Sequence, residues 1–218
     1  MRKLSCMYPA YARSERIADG TLHAFGVVAA LTGAIFLLVW AIGIVSGGLI
    51  VALVVYGVAL VATFTASAFY HMTPWESIRP TLRRIDHAAI YLKIAGTYTP
   101  LVMMIGSFFA YAILGLVWTL ALIGMIHKLF FWQTAGRMGS ALYLMLGWMS
   151  VCIIWPLFGI LPGLPLGLIT AGGLLYTAGV VFLRWDNLMF GMAIWHAFVV
   201  AASACFFAAI VLGTAATA

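Results

Sequence analysis

The chain has 218 residues, of which 66% are hydrophobic and only 7% charged, and its mean hydropathy is +1.15. A soluble domain carries about a quarter charged residues, and no soluble fold of this size has enough interior to hide so much apolar side chain. A water-soluble protein is therefore excluded. The net charge of +6 does not point to nucleic acid, because the basic residues sit in short breaks between apolar runs rather than along one helical face.

A spanning helix needs about 20 mostly apolar residues. Residues 1–19 read as a polar arm with scattered charges (Arg2, Lys3, Arg13, Glu15, Arg16) and no signal-peptide pattern. Breaks at charges, prolines and glycines then predict spans over Gly20–Ser46, Leu49–His71, Leu82–Met104, Phe108–His127, Met138–Phe158, Leu164–Leu183 and Met189–Leu212. The expectation is an all-α, polytopic membrane protein: one domain over residues 1–218, a seven-transmembrane-helix bundle. Gly43/Gly47 and the pair Gly172–Gly173 are small residues that allow close helix packing. Cys6, Cys152 and Cys205 form no disulfide framework and read as free thiols.

Charge sets the orientation. The arm, the second–third connection (Arg79, Arg83, Arg84), the fourth–fifth (Lys128, Arg137) and the sixth–seventh (Arg184) are basic. The alternate connections and the C-terminal tail carry no charge. Positive-inside then predicts a cytoplasmic N-terminus and an external C-terminus.

The few polar residues at the cytoplasmic helix ends carry the functional information, since an ionisable group inside a span is costly. Glu15, Asp19 and His23 form one stripe into the first helix. Ser67 and His71 share the last turn of the second, Asp86 and His87 open the third, and His196 lies about two turns into the seventh. Each also has a structural account. His23 can bond Asp19 at the interface, His71 suits a helix C-terminus, Asp86 can pair with Arg83, and His87 can make a structural hydrogen bond. His127 beside Lys128 reads as interfacial, and Lys93 either faces the same way as Asp86 or snorkels. The chemical alternative is a metal site. His71 and His196 would be ligands, Asp86 would orient water or act as general base, and Ser67 would support it.

Several segments resemble the hemolysin III family, the bacterial relatives of the progestin and adiponectin receptor membrane proteins. Glu15 to Gly26 is similar to the family's opening motif, and Ser67-Ala68-Phe69-Tyr70-His71 to its S-x-x-x-H. Leu82 to Ile90, running on to Ile94-Ala95-Gly96-Thr97-Tyr98-Thr99-Pro100, resembles its most recognisable stretch. Tyr143, Gly147-Trp148 and Ile194 to Val199 follow in order.

The resemblance implies a zinc site at the cytoplasmic ends of the second and seventh helices, held by the histidine of S-x-x-x-H and both histidines of an H-x-x-x-H. His71 and His196 match the first and third ligands, and Met192 stands at the second, where a soft thioether is a poor zinc ligand. The expectation is a bacterial inner-membrane protein with a degenerate zinc site. It would be a lipid-linked sensor or a metal-dependent lipid amide or ester hydrolase, with membrane lipids as partners and Asp86 and Ser67 as catalytic groups. A pore-forming or transport protein, and a receptor without chemistry, are the alternatives.

Overall fold

The computed structural model describes residues 12–131, 138–161, 163–185 and 188–218; Arg2, Lys3, Cys6 and Arg137 lie outside them. The described chain is helical: α1 Arg13–Ala41, α2 Gly47–Met72, α3 Arg79–Ile105, α4 Phe108–Ile126, α5 Met138–Trp148, α6 Val151–Phe158, α7 Gly163–Leu183 and α8 Gly191–Thr217. A π-helical turn, His127–Phe131, prolongs α4. Six helices are long and apolar enough to cross a membrane (α1, α2, α3, α4 with its turn, α7 and α8), and α5 with α6 make the seventh passage.

Helix starts differ from the expected ones for local reasons. α1 begins at Arg13, so Glu15 and Asp19 belong to its first turns rather than to an arm. Glu15 Oε2 accepts the Ala12 N–H at 2.9 Å, satisfying a donor that a helix N-terminus leaves free. α3 begins three residues before Leu82, with Pro80 in its first turn, where the missing N–H has no partner to lose. Gly43 adopts φ 89° in the turn after α1 and touches nothing, so it is a turn residue and not a packing one.

The fifth passage is broken at Met149–Ser150. Pro156 lies within α6 and has no N–H for the carbonyl one turn back. The Ser150 N–H bonds the Gly147 carbonyl instead of continuing the helix, and Tyr98 Oη reaches across from α3 to the Leu146 and Gly147 carbonyls at 3.1 and 3.0 Å. In a bilayer, freed backbone groups must find such protein partners.

α3 is the inner helix. It packs on α2 and α4 and touches α5, α6 and α8, while α8 lies between α7 and α1. Gly96 lets α3 approach α2 closely, since a Cβ there would stand 2.5 Å from that of Ala59. Thr63 of α2 adds a hydroxyl bond to the Ala89 carbonyl of α3 at 2.9 Å. Of the pair Gly172–Gly173, only Gly172 faces a neighbour, Phe206 of α8. These contacts bring the first turns of α1, α3 and α8 and the last turn of α2 to one end of the bundle.

Candidate metal centre

Four buried side chains meet at that end: Asp19 and His23 of α1, His71 of α2 and His196 of α8. Asp19 and His23 are four residues apart, so both project from one face of α1. His71 comes from the last turn of α2 and His196 from the second turn of α8. His196 Nδ1 lies 2.5 Å from Asp19 Oδ1, while His71 Nδ1 and His23 Nε2 lie 3.7 and 3.6 Å from Oδ2. Three imidazole nitrogens thus surround one carboxylate. The rings pack on each other as well, with centroids 5.0 Å apart for His23 and His71, 4.2 Å for His23 and His196, and 4.6 Å for His71 and His196.

The four potential donor atoms all lie within 4.8 Å of one another. Three nitrogens and one oxygen suit a tetrahedral ion of intermediate softness. His23 Nε2 is buried with no hydrogen-bond partner, a costly state for an imidazole nitrogen unless another partner takes it up. Burying three imidazoles side by side around one carboxylate has no packing advantage over apolar residues. The residues present therefore fit a metal ion.

Glu15 supports this end from outside. Its Oε1 accepts the N–H of Phe190 at 2.8 Å, linking the start of α1 to the residue before α8. Phe190 is at φ 59°, in the left-handed region that a bulky residue seldom adopts. The bond holds that turn, and so the height at which His196 faces Asp19.

Ser67, Asp86 and Met192 line the same cavity as His23, His71 and His196, a space of about 1090 Å³. The Ser67 side chain lies beside the Asp86 carboxylate. Asp86 is not one of the four grouped residues; it lines the cavity beside them. His87 donates from Nδ1 to the Arg83 carbonyl at 2.8 Å, with Asp86 Oδ2 3.4 Å away. Lys93 does not snorkel: it is buried and donates to Ser203. His127 is exposed, as an interfacial residue should be.

The sequence pairs His71 with His196 and reads His23 with Asp19 as an interfacial couple. The available signal was their spacing, which aims both down one face of α1, but only the docking of α1 between α2 and α8 makes that face internal.

The fold and this centre define a polytopic helical membrane protein with a buried histidine–carboxylate group able to hold a metal ion. The model of the "Haemolysin-III related" family matches residues 12–207, and the chain belongs to that family. It is 34% identical to "Hemolysin-3 homolog" of Bacillus subtilis (strain 168), over 88% of this chain and 91% of that protein. It is 35% identical to "Hemolysin-3" of Bacillus cereus, over 88% and 89% respectively. A more distant similarity, 28% over 72% of this chain and 67% of the relative, connects it to "Monocyte to macrophage differentiation factor" of Homo sapiens.

Proposed function

We propose that this protein is a zinc-dependent hydrolase of the bacterial inner membrane, acting on an amide or ester carbonyl of a membrane lipid from the cytoplasmic side. The observation that carries the reading is the buried Asp19–His23–His71–His196 group on the edge of a cavity of about 1090 Å³. The basic connections alternate with uncharged ones, which supports a cytoplasmic N-terminus and would put the centre at the inner leaflet.

His23, His71 and His196 would hold zinc through imidazole nitrogens. Asp19 either completes the set or, through His196 Nδ1, fixes that ring's orientation. Zinc there would supply Lewis acidity toward the carbonyl and toward water. Asp86 would receive the proton of the attacking water and pass it to the leaving group, and Ser67 would steady the Asp86 carboxylate. Met192 is dispensable in this scheme, because His23 supplies the third imidazole beside His71 and His196 and leaves a position for water. A lipid sensor would use the same cavity without turnover. A pore, the reading that the relatives' printed name invites, would want a polar path along the whole bundle, whereas Leu37, Leu53, Leu101 and Ile210, buried toward the far end, are apolar, with Thr214 also buried there.

The test is metal analysis of purified protein beside a lipid-amide hydrolysis assay. Wild type should hold about one zinc per chain, His71→Ala almost none, and Met192→His no more than wild type. Asp86→Asn should keep the zinc and lose turnover. Zinc-free wild type that gains the ion only with Met192→His would sink the reading that His23 supplies the third imidazole, and zinc without turnover on any lipid amide or ester would leave the sensor in its place.

A further inference from the structure

The four residues of the metal centre are only 3–7% exposed, so an ion must pass between helices to reach them. The three histidines border the large cavity, but Asp19 and Glu15 do not. The carboxylate side of the centre therefore looks toward the flanks of α1, where α2 and α8 are its neighbours. On the α2 flank the seam is filled by an apolar side chain: a Cβ at Gly20 would stand 3.2 Å from Met72 Sδ. On the α8 flank it is spanned by a hydrogen bond, from the Phe190 N–H to Glu15 Oε1 at 2.8 Å. Glu15 stands one turn before Asp19, about 6 Å along α1, so the bond closes this seam between the centre and the end of the bundle.

This closure is built to open. Glu15 is half-buried, so water can compete for its Oε1, while Oε2 stays on the Ala12 N–H of its own helix. Phe190 is at φ 59°, a conformation that a non-glycine residue keeps only while its surroundings impose it. Parting the bond lets Phe190 return to ordinary backbone angles. The first turn of α8 moves with it, since the Ile194 N–H bonds the Phe190 carbonyl, and His196 lies in the next turn.

We propose that the Glu15–Phe190 bond is a latch on the α1–α8 seam through which a metal ion enters and leaves the centre, a proposal that rests on the metal reading above. Glu15 lies outside the donor set, so the bond stabilises the closed seam with the ion and without it. Its loss changes the rates in both directions and leaves affinity nearly as it was. A residue that only set the height of His196 would, when lost, weaken binding instead.

The experiment follows zinc transfer between the full-length protein in detergent and a fluorescent chelator by stopped flow. Uptake by metal-free protein and release from loaded protein are compared in wild type, Glu15→Gln and Glu15→Ala. Glu15→Ala should speed both about tenfold or more, through loss of a charge-assisted hydrogen bond. Glu15→Gln keeps a neutral acceptor and should speed both about threefold. The dissociation constant should stay within about twofold of wild type, because the bond does not distinguish the two states. Faster hydrogen exchange from Phe190 to Ile194 in metal-free Glu15→Ala is a readout that needs no ion. Unchanged rates in Glu15→Ala overturn the proposal. Faster release without faster uptake makes Glu15 a support for His196 alone, and slower uptake makes it a ligand on the way in; either overturns the latch. Wild type that takes up no zinc overturns the metal reading and this proposal together. Should Glu15→Ala fail to fold, Glu15→Gln decides by the same two rates.

Discussion

The two ends of the bundle are buried to similar extents by opposite means. At one, Asp19, His23, His71 and His196 hold each other through charge and hydrogen bonds; at the other, Leu37, Leu53, Leu101 and Ile210 fill space between helices. In lipid the tails are as apolar as leucine, so the far end gains from close packing rather than from leaving water. The polar end gains nothing from lipid and depends on complete mutual satisfaction, yet His23 Nε2 approaches Asp19 only to 3.6 Å and makes no hydrogen bond. Close packing thus accounts for one end of the bundle and mutual polar contact for the other.

Substitutions should separate the two ends. The largest effect is expected from His196→Ala, which removes one nitrogen and leaves Asp19 without its shortest bond; metal content should fall from about one ion per chain to near zero. Unchanged content would mean that α8 takes no part in the centre. Asp19→Asn keeps the shape but removes the charge that three imidazoles share, and metal affinity measured by competition with a chelator should drop about 10–100-fold. An affinity equal to wild type would show that the carboxylate neither binds nor orients.

At the apolar end, Leu53→Ala should lower stability by about 2 kcal/mol, the low side of the range for buried leucines, because lipid removes much of the transfer contribution and leaves the cavity. Thermal unfolding in detergent measures it, and metal content per folded chain should not change. A joint loss of metal would contradict the separation of the ends. Smallest is Tyr98→Phe, which deprives the Leu146 and Gly147 carbonyls of their donor and should cost about 1 kcal/mol. Faster hydrogen exchange should then appear around Ser150 and not around His71.

Much of this was legible in the chain. Seven apolar runs became seven passages, because each needs only its own length and hydropathy to be recognised. The crowding of Ser67, His71, Asp86 and His196 toward one end follows from counting alternate connections, and their common cavity agrees with it. The break in the fifth passage was less legible. Pro156 marks a weak point, but the break sits at Met149–Ser150, where Tyr98 from another helix can take the freed carbonyls.

Composition and periodicity by themselves determined that this is a helical membrane protein, how many times it crosses, and at which end its ionisable residues gather, because these depend on one helix at a time and on lipid as solvent. The tertiary structure alone decided which of those residues meet. Asp19 lies 177 residues from His196 and Lys93 lies 110 from Ser203, and only the seating of α8 between α1 and α7, against α3, brings each pair within bonding distance. A helix displays its side chains by its own periodicity, but whether a given face meets lipid or another helix is settled by packing among all of them.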